Sequence, residues 1–363
     1  MKLISKIIAS CVLLIVMSNA NAQNLSARLD SIFQPLSNTG QFSGNVLIAK
    51  NGKPIYEKCF GMADIDKNIA NKVNMRFQLA SVSKQFTAMG IVMLKESGKI
   101  SYDDTITKFI PELPYHGITI RQLLNHTSGI PDYFPMFLQY WDKTKFANNN
   151  DVIKLLVQYH PPVFFPPGQK YLYSNTGYAL LATVIEKVSG TSFKAFMADN
   201  VFKRFGLKHT LVCSRHANPI NAPDFAIGYV YADSLKAFVI PEQHPMWKTG
   251  LWEDAIYGED GVNSTVGDML KWDQAVYNRA IISNDDWQQI LTAGATAEGS
   301  CDYGFGWHLK NNAAFHTGGW PGFITYNEQG LKNNYSIIIL RNKFTTQTRV
   351  AVDLIKSIIN ADK

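Results

Sequence analysis

The chain has 363 residues, of which 46% are hydrophobic and 18% charged, a composition typical of a globular protein rather than a collagen-like or disordered one. Its net charge of +6 comes from 35 basic and 29 acidic residues that are spread along the sequence. Nucleic-acid binding needs a dense basic face. The composition therefore argues against a nucleic-acid partner.

The first 22 residues have the pattern of a secretory signal peptide. Two lysines precede an almost wholly apolar run, Ile7 to Met17, and Ala20-Asn21-Ala22 follows as a small-x-small cleavage site. A run of about a dozen apolar residues is short for a membrane span. We predict cleavage after Ala22, export to a periplasm or the medium, and no membrane span in the mature chain. Lipidation at Cys11 is less favoured, because Cys11 stands at the start of the apolar run.

The apolar pattern predicts strands towards both ends of the chain and helices between them. The predicted elements are a helix at 25–37, strands at 46–49 and 55–59 around an Asn-Gly turn, helices at 81–97, 151–159, 177–188 and 266–277, strands at 306–309, 313–316, 323–327 and 335–341 with turns at Gly318-Gly319 and Gly330, and a helix at 346–359. Strands from both ends imply one antiparallel sheet, with the middle of the chain inserted as a helical lobe and a cleft between them.

The predicted fold class is therefore α+β, in a single domain at 23–363. The sheet lobe takes residues 23–75 and 300–363, and the mostly helical lobe takes residues 76–299. No low-complexity linker interrupts the mature sequence, which favours one domain over several.

The cysteines and histidines indicate neither a disulfide scaffold nor a metal centre. The mature chain keeps Cys59, Cys213 and Cys301, an odd number without CxxC spacing. One bridge among them is possible, but buried small apolar side chains are the favoured interpretation. The eight histidines are scattered and no HExxH motif occurs, so we predict no metal and no cofactor.

The segment Ser81-Val82-Ser83-Lys84 is the first candidate catalytic motif. On a helix, Ser81 and Lys84 share one face, and a serine nucleophile needs an adjacent base. Lys84 serves as that base if desolvation or another cation lowers its pKa. A serine at a helix start also has backbone N–H donors nearby for an oxyanion. Alone the signal is weak, since a capping serine and an exposed lysine have the same spacing.

Two later segments supply polar groups that suit the same chemistry. Tyr173 can accept the serine proton if cations favour its phenolate, and Asn175 can bind a substrate carbonyl while accepting from Lys84. In His316-Thr317-Gly318-Gly319, the glycines allow a substrate to approach a strand edge, and the histidine can donate to substrate or to Tyr173. The simpler alternatives are a capping Asn175, a core Tyr173, a glycine bulge and a satisfied histidine.

The order and spacing of these motifs resemble the serine β-lactamase and penicillin-binding protein superfamily, on its class C and DD-peptidase side. The likeness spans nearly all of residues 40–345 and rests on Phe77 to Thr87, Leu124 to Gly129, Tyr173 to Asn175, Gly261 to Thr265 and His316 to Gly318. It implies the sheet-plus-helical-lobe fold and a covalent acyl-enzyme.

The resemblance also implies a role for each candidate residue. Ser81 would be the nucleophile, Lys84 its proton partner and Tyr173 the general base and acid. The substrate would be bound and oriented by Asn175 and by the strand residues His316, Thr317, Gly318 and Gly319. The backbone N–H groups of Ser81 and Gly319 would form the oxyanion hole.

The resemblance leaves the substrate open among several classes. A DD-carboxypeptidase or endopeptidase acting on a peptidoglycan-type peptide leads, ahead of an esterase or D-aminopeptidase-like hydrolase and a class C-like β-lactamase. A non-turnover penicillin-binding sensor is the alternative of another class. His316 stands where class C β-lactamases usually have lysine, which weakens the field for a substrate carboxylate and disfavours efficient β-lactam hydrolysis. No oligomeric state is predicted.

Two features would affect the cleft if they line it. Glu259-Asp260 would disfavour anionic substrates. A set of aromatic residues either lines the cleft or packs in the core: Tyr133, Phe134, Phe137, Tyr140, Trp141, Trp247, Trp252, Trp307 and Trp320.

Overall fold

The computed structural model describes residues 25–215, 223–244, 246–247, 251–296, 299–300, 302–344 and 348–361. The predicted signal peptide lies outside these ranges. Within them, no helix combines the length and the apolar character that a bilayer span needs.

The helices lie mainly in the middle of the chain and at its two ends. They are α1 (25–38), α2 (Ser83–Glu96), α3 (Ile120–Leu124), α4 (Phe134–Tyr140), α5 (Asn149–Tyr159), α6 (Asn175–Ser189), α7 (Phe193–Phe196), α8 (Val266–Tyr277), α9 (Asn284–Ile290) and α10 (Thr348–Ala361). Shorter 3₁₀ segments include Ala80–Val82, Ile106–Lys108, Pro241–Gln243 and Leu251–Glu253, and a π-helical segment covers Met197–Phe202. The predicted helix at 266–277 is confirmed at both ends.

The strands are concentrated at the two ends of the described chain. They are β1 (Gly44–Lys50), β2 (Lys53–Phe60), β3 (Met62–Asp64), β4 (Ile69–Ala70), β5 (Phe77–Gln78), β6 (Leu211–Val212), β7 (Tyr229–Ala232), β8 (Ala237–Val239), β9 (Val262–Ser264), β10 (Ala295–Thr296), β11 (Gly299–Ser300), β12 (His308–Lys310), β13 (Ala313–Trp320), β14 (Phe323–Gly330), β15 (Tyr335–Arg341) and β16 (Lys343–Phe344). The predicted strand at 306–309 is therefore shifted to His308–Lys310.

A six-stranded antiparallel sheet joins the two ends of the chain. Its strand order is β12-β13-β14-β15-β1-β2, so β1 from the first part of the chain pairs with β15 from the last. The β1–β2 hairpin turns at Asn51 and Gly52, whose φ angles of 51° and 72° are typical of the tight turns that Asn-Gly favours. The predicted α+β class, with one sheet built from both ends, is confirmed.

Both faces of this sheet are covered at its centre, which explains the mostly apolar and buried runs of β1 and β15. On β15, Ile337 and Ile339 pack in one cluster with residues of α1 and α10, such as Phe33 and Ile355. The alternate residues of β15 belong to the larger cluster on the opposite face, which includes α2, α6 and α8. The sheet therefore has the helical part of the chain on one side and the terminal helices on the other.

The predicted turn at Gly318-Gly319 is wrong. Strand β13 runs without a break through both glycines, and the chain turns afterwards at Pro321-Gly322. A Cβ atom on Gly318 would lie closer than 3.0 Å to the Leu79 carbonyl oxygen. Gly318 is therefore required by the close approach of another backbone rather than by a turn.

The described cysteines are not bridged. Cys59 is half-buried and Cys213 is buried, and both are free thiols. Burial raises the pKa of Cys59 to about 11 and that of Cys213 to about 12. Both side chains therefore stay uncharged at neutral pH and pack as small apolar groups. Cys301 lies outside the described residues.

Candidate active site

Ser81 lies in the 3₁₀ turn Ala80–Val82, directly before α2. The preceding residue, Ala80, has a φ of +50°, a conformation that costs a non-glycine residue about 1–3 kcal/mol. Neighbouring strands hold this turn in place: the Leu79 N–H donates to the Val262 carbonyl at 2.9 Å, and the Thr325 hydroxyl donates to the Leu79 carbonyl at 2.6 Å. Residues distant in sequence therefore fix the backbone that carries Ser81.

Lys84 is fully buried and lies one turn further along the helix. Its ammonium group donates to Ser81 Oγ at 3.1 Å, Asn175 Oδ1 at 2.9 Å and the Glu259 carbonyl oxygen at 2.9 Å. An ammonium has three protons, and each of them has an acceptor here. Lys84 therefore donates a hydrogen bond to Ser81 and does not accept one.

The charges around Lys84 favour its protonated form. The Glu259 carboxylate lies 3.5 Å from Lys84 Nζ, and its other oxygen accepts from the Tyr133 hydroxyl at 2.8 Å. Burial acts to lower the pKa of Lys84, but the charges of Tyr173 and Glu259 outweigh it and the pKa is raised. The pKa of Lys84 is therefore not lowered, as it would have to be for Lys84 to act as the base.

Tyr173 stands half-buried beside this cation, with its ring centroid 5.0 Å from Lys84 Nζ. Its ring lies 4.3 Å from the ring of His126, measured between centroids. The same histidine holds the segment on both sides of Tyr173: its carbonyl accepts from the Leu172 N–H, and its Nδ1 accepts from the Ser174 N–H at 3.2 Å. Tyr173 therefore lies beside Lys84 and outside the closed core.

Asn175 is the first residue of α6 and not its cap. The N-cap position belongs to Ser174, whose side chain makes no capping hydrogen bond. The Asn175 N–H donates to Asp132 Oδ2 at 2.8 Å, while its side-chain oxygen accepts from Lys84. The start of α6 is therefore fixed by Asp132, which leaves the Asn175 side-chain oxygen directed at Lys84.

His316 is enclosed within the protein. Its Nδ1 donates to the Thr317 carbonyl at 2.7 Å, so its Nε2 is the acceptor for the Tyr303 hydroxyl at 2.9 Å. Burial lowers the pKa of His316 well below its ordinary value, which keeps the ring neutral. Both ring nitrogens are used inside the protein, so the structure does not direct them at a substrate.

The next residues of β13 form the accessible edge of the site. Among the described residues, β12 pairs with β13 only as far as Phe315, which leaves the edge beyond it uncovered. Thr317 and Gly319 are exposed there, whereas Gly318 is buried against the Leu79 backbone. This edge of β13 is therefore accessible at Thr317 and Gly319.

The structure thus places Lys84, Asn175 and Tyr173 around Ser81, with β13 packed against the same turn, while two other features lie elsewhere than predicted. Glu259 and Asp260 are 6% and 4% exposed, so they lie beneath the site and do not line the cleft. Most of the aromatic set packs in the core: Tyr133, Phe137, Trp252, Trp307 and Trp320 are buried, whereas Tyr140 is exposed. Across the described residues, no three His, Cys, Asp or Glu side chains are grouped so as to hold a metal ion.

Four residues near the site have contacts that the sequence reasoning missed. Glu259 faces Lys84, Tyr303 bonds His316, His126 supports the Tyr173 segment and Asp132 holds the start of α6. Of these, His126 lies within one of the motifs that carried the resemblance, and Glu259 lies two residues before another. Nothing in their spacing indicates which atoms they contact.

Comparison with known proteins identifies the family. The model of the Beta-lactamase family matches residues 29–358. The chain belongs to this family. It is 38% identical over 327 residues to penicillin-binding protein 4* of Bacillus subtilis (strain 168), covering 88% of this chain and 72% of the relative. It is 28% identical to protein flp of Staphylococcus aureus (strain MW2), covering 87% of this chain and 62% of that protein.

Solved structures agree with this assignment. A penicillin-binding protein from Bacillus halodurans superimposes with a TM-score of 0.76 at 26% identity, covering 90% of this chain and 98% of that one. A D-amino acid amidase from Ochrobactrum anthropi SV3 shares the fold, with a TM-score of 0.75 at 20% identity and coverage of 93% and 99%. The chain is therefore a serine hydrolase of the β-lactamase and penicillin-binding protein superfamily.

Proposed function

We propose that this hydrolase forms an acyl-enzyme on Ser81 and cleaves an amide bond next to a D-amino acid in a peptidoglycan-type peptide, as a DD-carboxypeptidase or endopeptidase does. The observation that carries the proposal is the buried Lys84 ammonium, which joins Ser81 Oγ to Asn175 Oδ1 in one hydrogen-bonded group. The 38% identity to penicillin-binding protein 4*, over an alignment that covers 72% of that protein, supports a site that penicillin can occupy.

Acylation follows from the positions of three side chains. Tyr173, as the phenolate, takes the proton of Ser81 while Oγ forms a bond to the carbonyl carbon of the scissile amide. The Lys84 ammonium, 5.0 Å from the tyrosine ring, stabilises negative charge on the phenolic oxygen. When the tetrahedral intermediate collapses, the C–N bond breaks and Tyr173 returns the proton to the leaving amine.

For the developing oxyanion and for deacylation, the proposal uses the groups that the family resemblance implies. The backbone N–H groups of Ser81 and Gly319 donate to the oxyanion, and Asn175 orients the acyl group. In deacylation a water attacks the ester carbonyl and gives a proton to Tyr173, which then passes a proton to Ser81 Oγ as the C–O bond breaks. Thr317 and Gly318 complete the strand against which the substrate lies.

An esterase or D-aminopeptidase-like hydrolase is the second candidate, and one observation favours it. The ring of His316 is neutral and both its nitrogens are bonded within the protein. This position therefore supplies no charge for a substrate carboxylate, which penicillins and D-alanyl peptides carry. Class C-like β-lactam hydrolysis and a non-turnover sensor are the remaining alternatives.

We infer further that the enzyme is exported, since the first 22 residues have the pattern of a signal peptide cleaved after Ala22. An exported hydrolase of this kind meets peptidoglycan-type peptides outside the cytoplasm. The measurement that checks export is the N-terminal sequence of the protein recovered from the periplasm or the medium. A mature protein that retains residues 1–22 contradicts it.

The deciding experiment is intact mass against time after mixing the mature protein with a penicillin, with Ser81→Ala as the control. A long-lived adduct that is absent from Ser81→Ala supports the DD-peptidase or sensor form, and release of D-alanine from a D-alanyl-D-alanine peptide separates the two. Rapid hydrolysis with only a fleeting adduct identifies a β-lactamase. Turnover of p-nitrophenyl acetate that is unchanged by Ser81→Ala contradicts the assignment of the nucleophile.

A further inference from the structure

We propose that the Glu259 carboxylate is the counterion that keeps Lys84 protonated, so that the Ser81 proton goes to Tyr173 and not to the lysine. Glu259 acts through Lys84 and is therefore a positioning residue. The inference rests on the proposed acylation of Ser81. It assigns a role in acylation to a residue that no sequence motif indicates.

Two different groups of Glu259 face the lysine. Its main-chain carbonyl accepts from Lys84 Nζ at 2.9 Å, and its carboxylate oxygen Oε2 lies 3.5 Å from the same nitrogen. The other carboxylate oxygen accepts from the Tyr133 hydroxyl at 2.8 Å. Burial raises the pKa of Glu259, whereas the Lys84 charge and the hydrogen bond from Tyr133 act to lower it and so favour the carboxylate.

The loop that carries Glu259 is anchored on both sides of it. The Thr87 hydroxyl of α2 donates to the Gly258 carbonyl at 2.7 Å. The Asn149 side chain of α5 donates to the Tyr257 carbonyl at 2.8 Å and accepts from the Tyr257 N–H at 2.9 Å. Gly258, at a φ of +105°, lies so close to α6 that a Cβ would overlap the Tyr178 carbonyl oxygen. The position of the carboxylate is therefore fixed by three helices.

Other titratable groups surround the Lys84–Glu259 pair, and they lie on each of the elements that pack against this pair. They are Tyr173 and Tyr178 at α6, Asp132 and Tyr133 before α4, Glu253 in the 3₁₀ segment, Asp260 in the loop, and His126 and His316 near Tyr173. The acids outnumber the cations in this set, and both histidines have a lowered pKa. Glu259 is the acid within ion-pair distance of Lys84.

The hydrogen bonds of Lys84 make its protonation state matter for the mechanism. All three ammonium protons are donated, and a neutral amine would leave one acceptor without a donor. A protonated Lys84 cannot also accept the Ser81 proton, because ammonium has no lone pair. With Glu259 as counterion, the phenolate of Tyr173 is the remaining base at the site.

The test reads the charge of Lys84 directly. The mature protein is labelled with [¹³Cε]lysine, the Lys84 resonance is assigned with Lys84→Arg, and its chemical shift is titrated with pH. We expect wild-type Lys84 to stay protonated above the ordinary lysine pKa, and Glu259→Gln to lower its pKa by about one to three units. Glutamine keeps an acceptor for Tyr133, so this change removes the charge with little change in shape.

Asp260→Asn is the matched control. It removes the neighbouring carboxylate, which bonds Gln78 and the Gly261 N–H and makes no contact at ion-pair distance with Lys84. We expect it to shift the Lys84 pKa by less than half as much. Equal shifts in Glu259→Gln and Asp260→Asn, or no shift in either, overturn the assignment of Glu259 as the counterion.

A second readout separates this inference from the proposed function. Glu259→Gln should move the alkaline limb of the kcat/KM profile to lower pH by the shift seen for Lys84, whereas a purely structural defect would lower kcat/KM at every pH alike. If Glu259→Gln fails to fold, Glu259→Asp keeps the charge and should give a smaller decrease. A wild-type Lys84 that titrates below the ordinary lysine pKa overturns the inference, and absence of any Ser81 adduct contradicts only the proposed function.

Discussion

Replacement of Gly318 by alanine tests how closely β13 must approach the turn that carries Ser81. The added Cβ would lie closer than 3.0 Å to the Leu79 carbonyl oxygen and the Thr325 hydroxyl, where ordinary contacts begin at 3.4 Å. β13 or the Leu79–Ser81 backbone must then move by on the order of 1 Å, because packed interiors have no free space to absorb a methyl group. We expect the free energy of unfolding to fall by about 1–3 kcal/mol.

We expect kcat to fall as well, since the same contact places Ser81 and the N–H groups that we propose as oxyanion donors. A misplacement of about 1 Å lowers kcat by about 10²-fold, so a loss of 10- to 100-fold is expected for Gly318→Ala with p-nitrophenyl acetate. Gly319→Ala is the control for stability, because the nearest atom to its Cβ is 3.9 Å away on the Phe344 ring. It should leave the free energy of unfolding within about 0.5 kcal/mol of wild type. Wild-type kcat and stability in Gly318→Ala, or equal destabilisation by Gly319→Ala, would refute the reasoning.

Three further predictions concern Asp273, Tyr303 and Asn149. Burial raises the pKa of Asp273 to about 8, so the folded state holds a proton that the unfolded state releases, and stability falls as pH rises towards 8. Asp273→Asn should remove that fall. In urea denaturation, the free energy of unfolding of the variant relative to wild type should rise by about 1 kcal/mol per pH unit between pH 5 and 8. The same difference at pH 5 and at pH 8 contradicts this prediction. Tyr303→Phe should cost about 1–3 kcal/mol of stability in thermal denaturation by leaving His316 Nε2 without its donor. Asn149→Ala should cost a similar amount, about 1–3 kcal/mol, through its lost bonds to Tyr257, and unchanged stability would show that the loop is held elsewhere.

Much of the fold follows from local pattern. The run Tyr335–Arg341 predicts a strand because it is rich in β-forming residues, and the Asn51-Gly52 pair predicts the hairpin because that dipeptide favours a tight turn. The Gly318-Gly319 pair has the same turn-like composition, yet it lies inside β13. Gly318 is required because it packs against the Leu79 backbone, more than 200 residues earlier in the sequence. Local sequence patterns do not predict that contact.

The residues of the site also fall into those that local sequence patterns predict and those that depend on distant packing. Ser81 and Lys84 were predictable because three residues of helix bring their side chains together, as the 3.1 Å hydrogen bond reflects. Glu259 was noticed only as a charge that would affect substrates in the cleft. Whether a carboxylate faces solvent or a buried ammonium depends on how its loop packs on distant helices, and the sequence does not reveal that packing.

In the proposed mechanism, the groups of the acylation step and those that hold the substrate belong to different parts of the fold. Lys84 and Asn175 belong to the helices, and the Glu259 loop is anchored on those helices. The accessible edge beside Thr317 belongs to the sheet. The two parts meet at the turn before α2, where Leu79 accepts a hydrogen bond from β14 and contacts β13. We therefore expect changes at the exposed Thr317 of β13 to alter which substrate is held without disturbing the charges at Lys84, whereas changes at this turn, or at Gly318 where β13 packs on it, affect both.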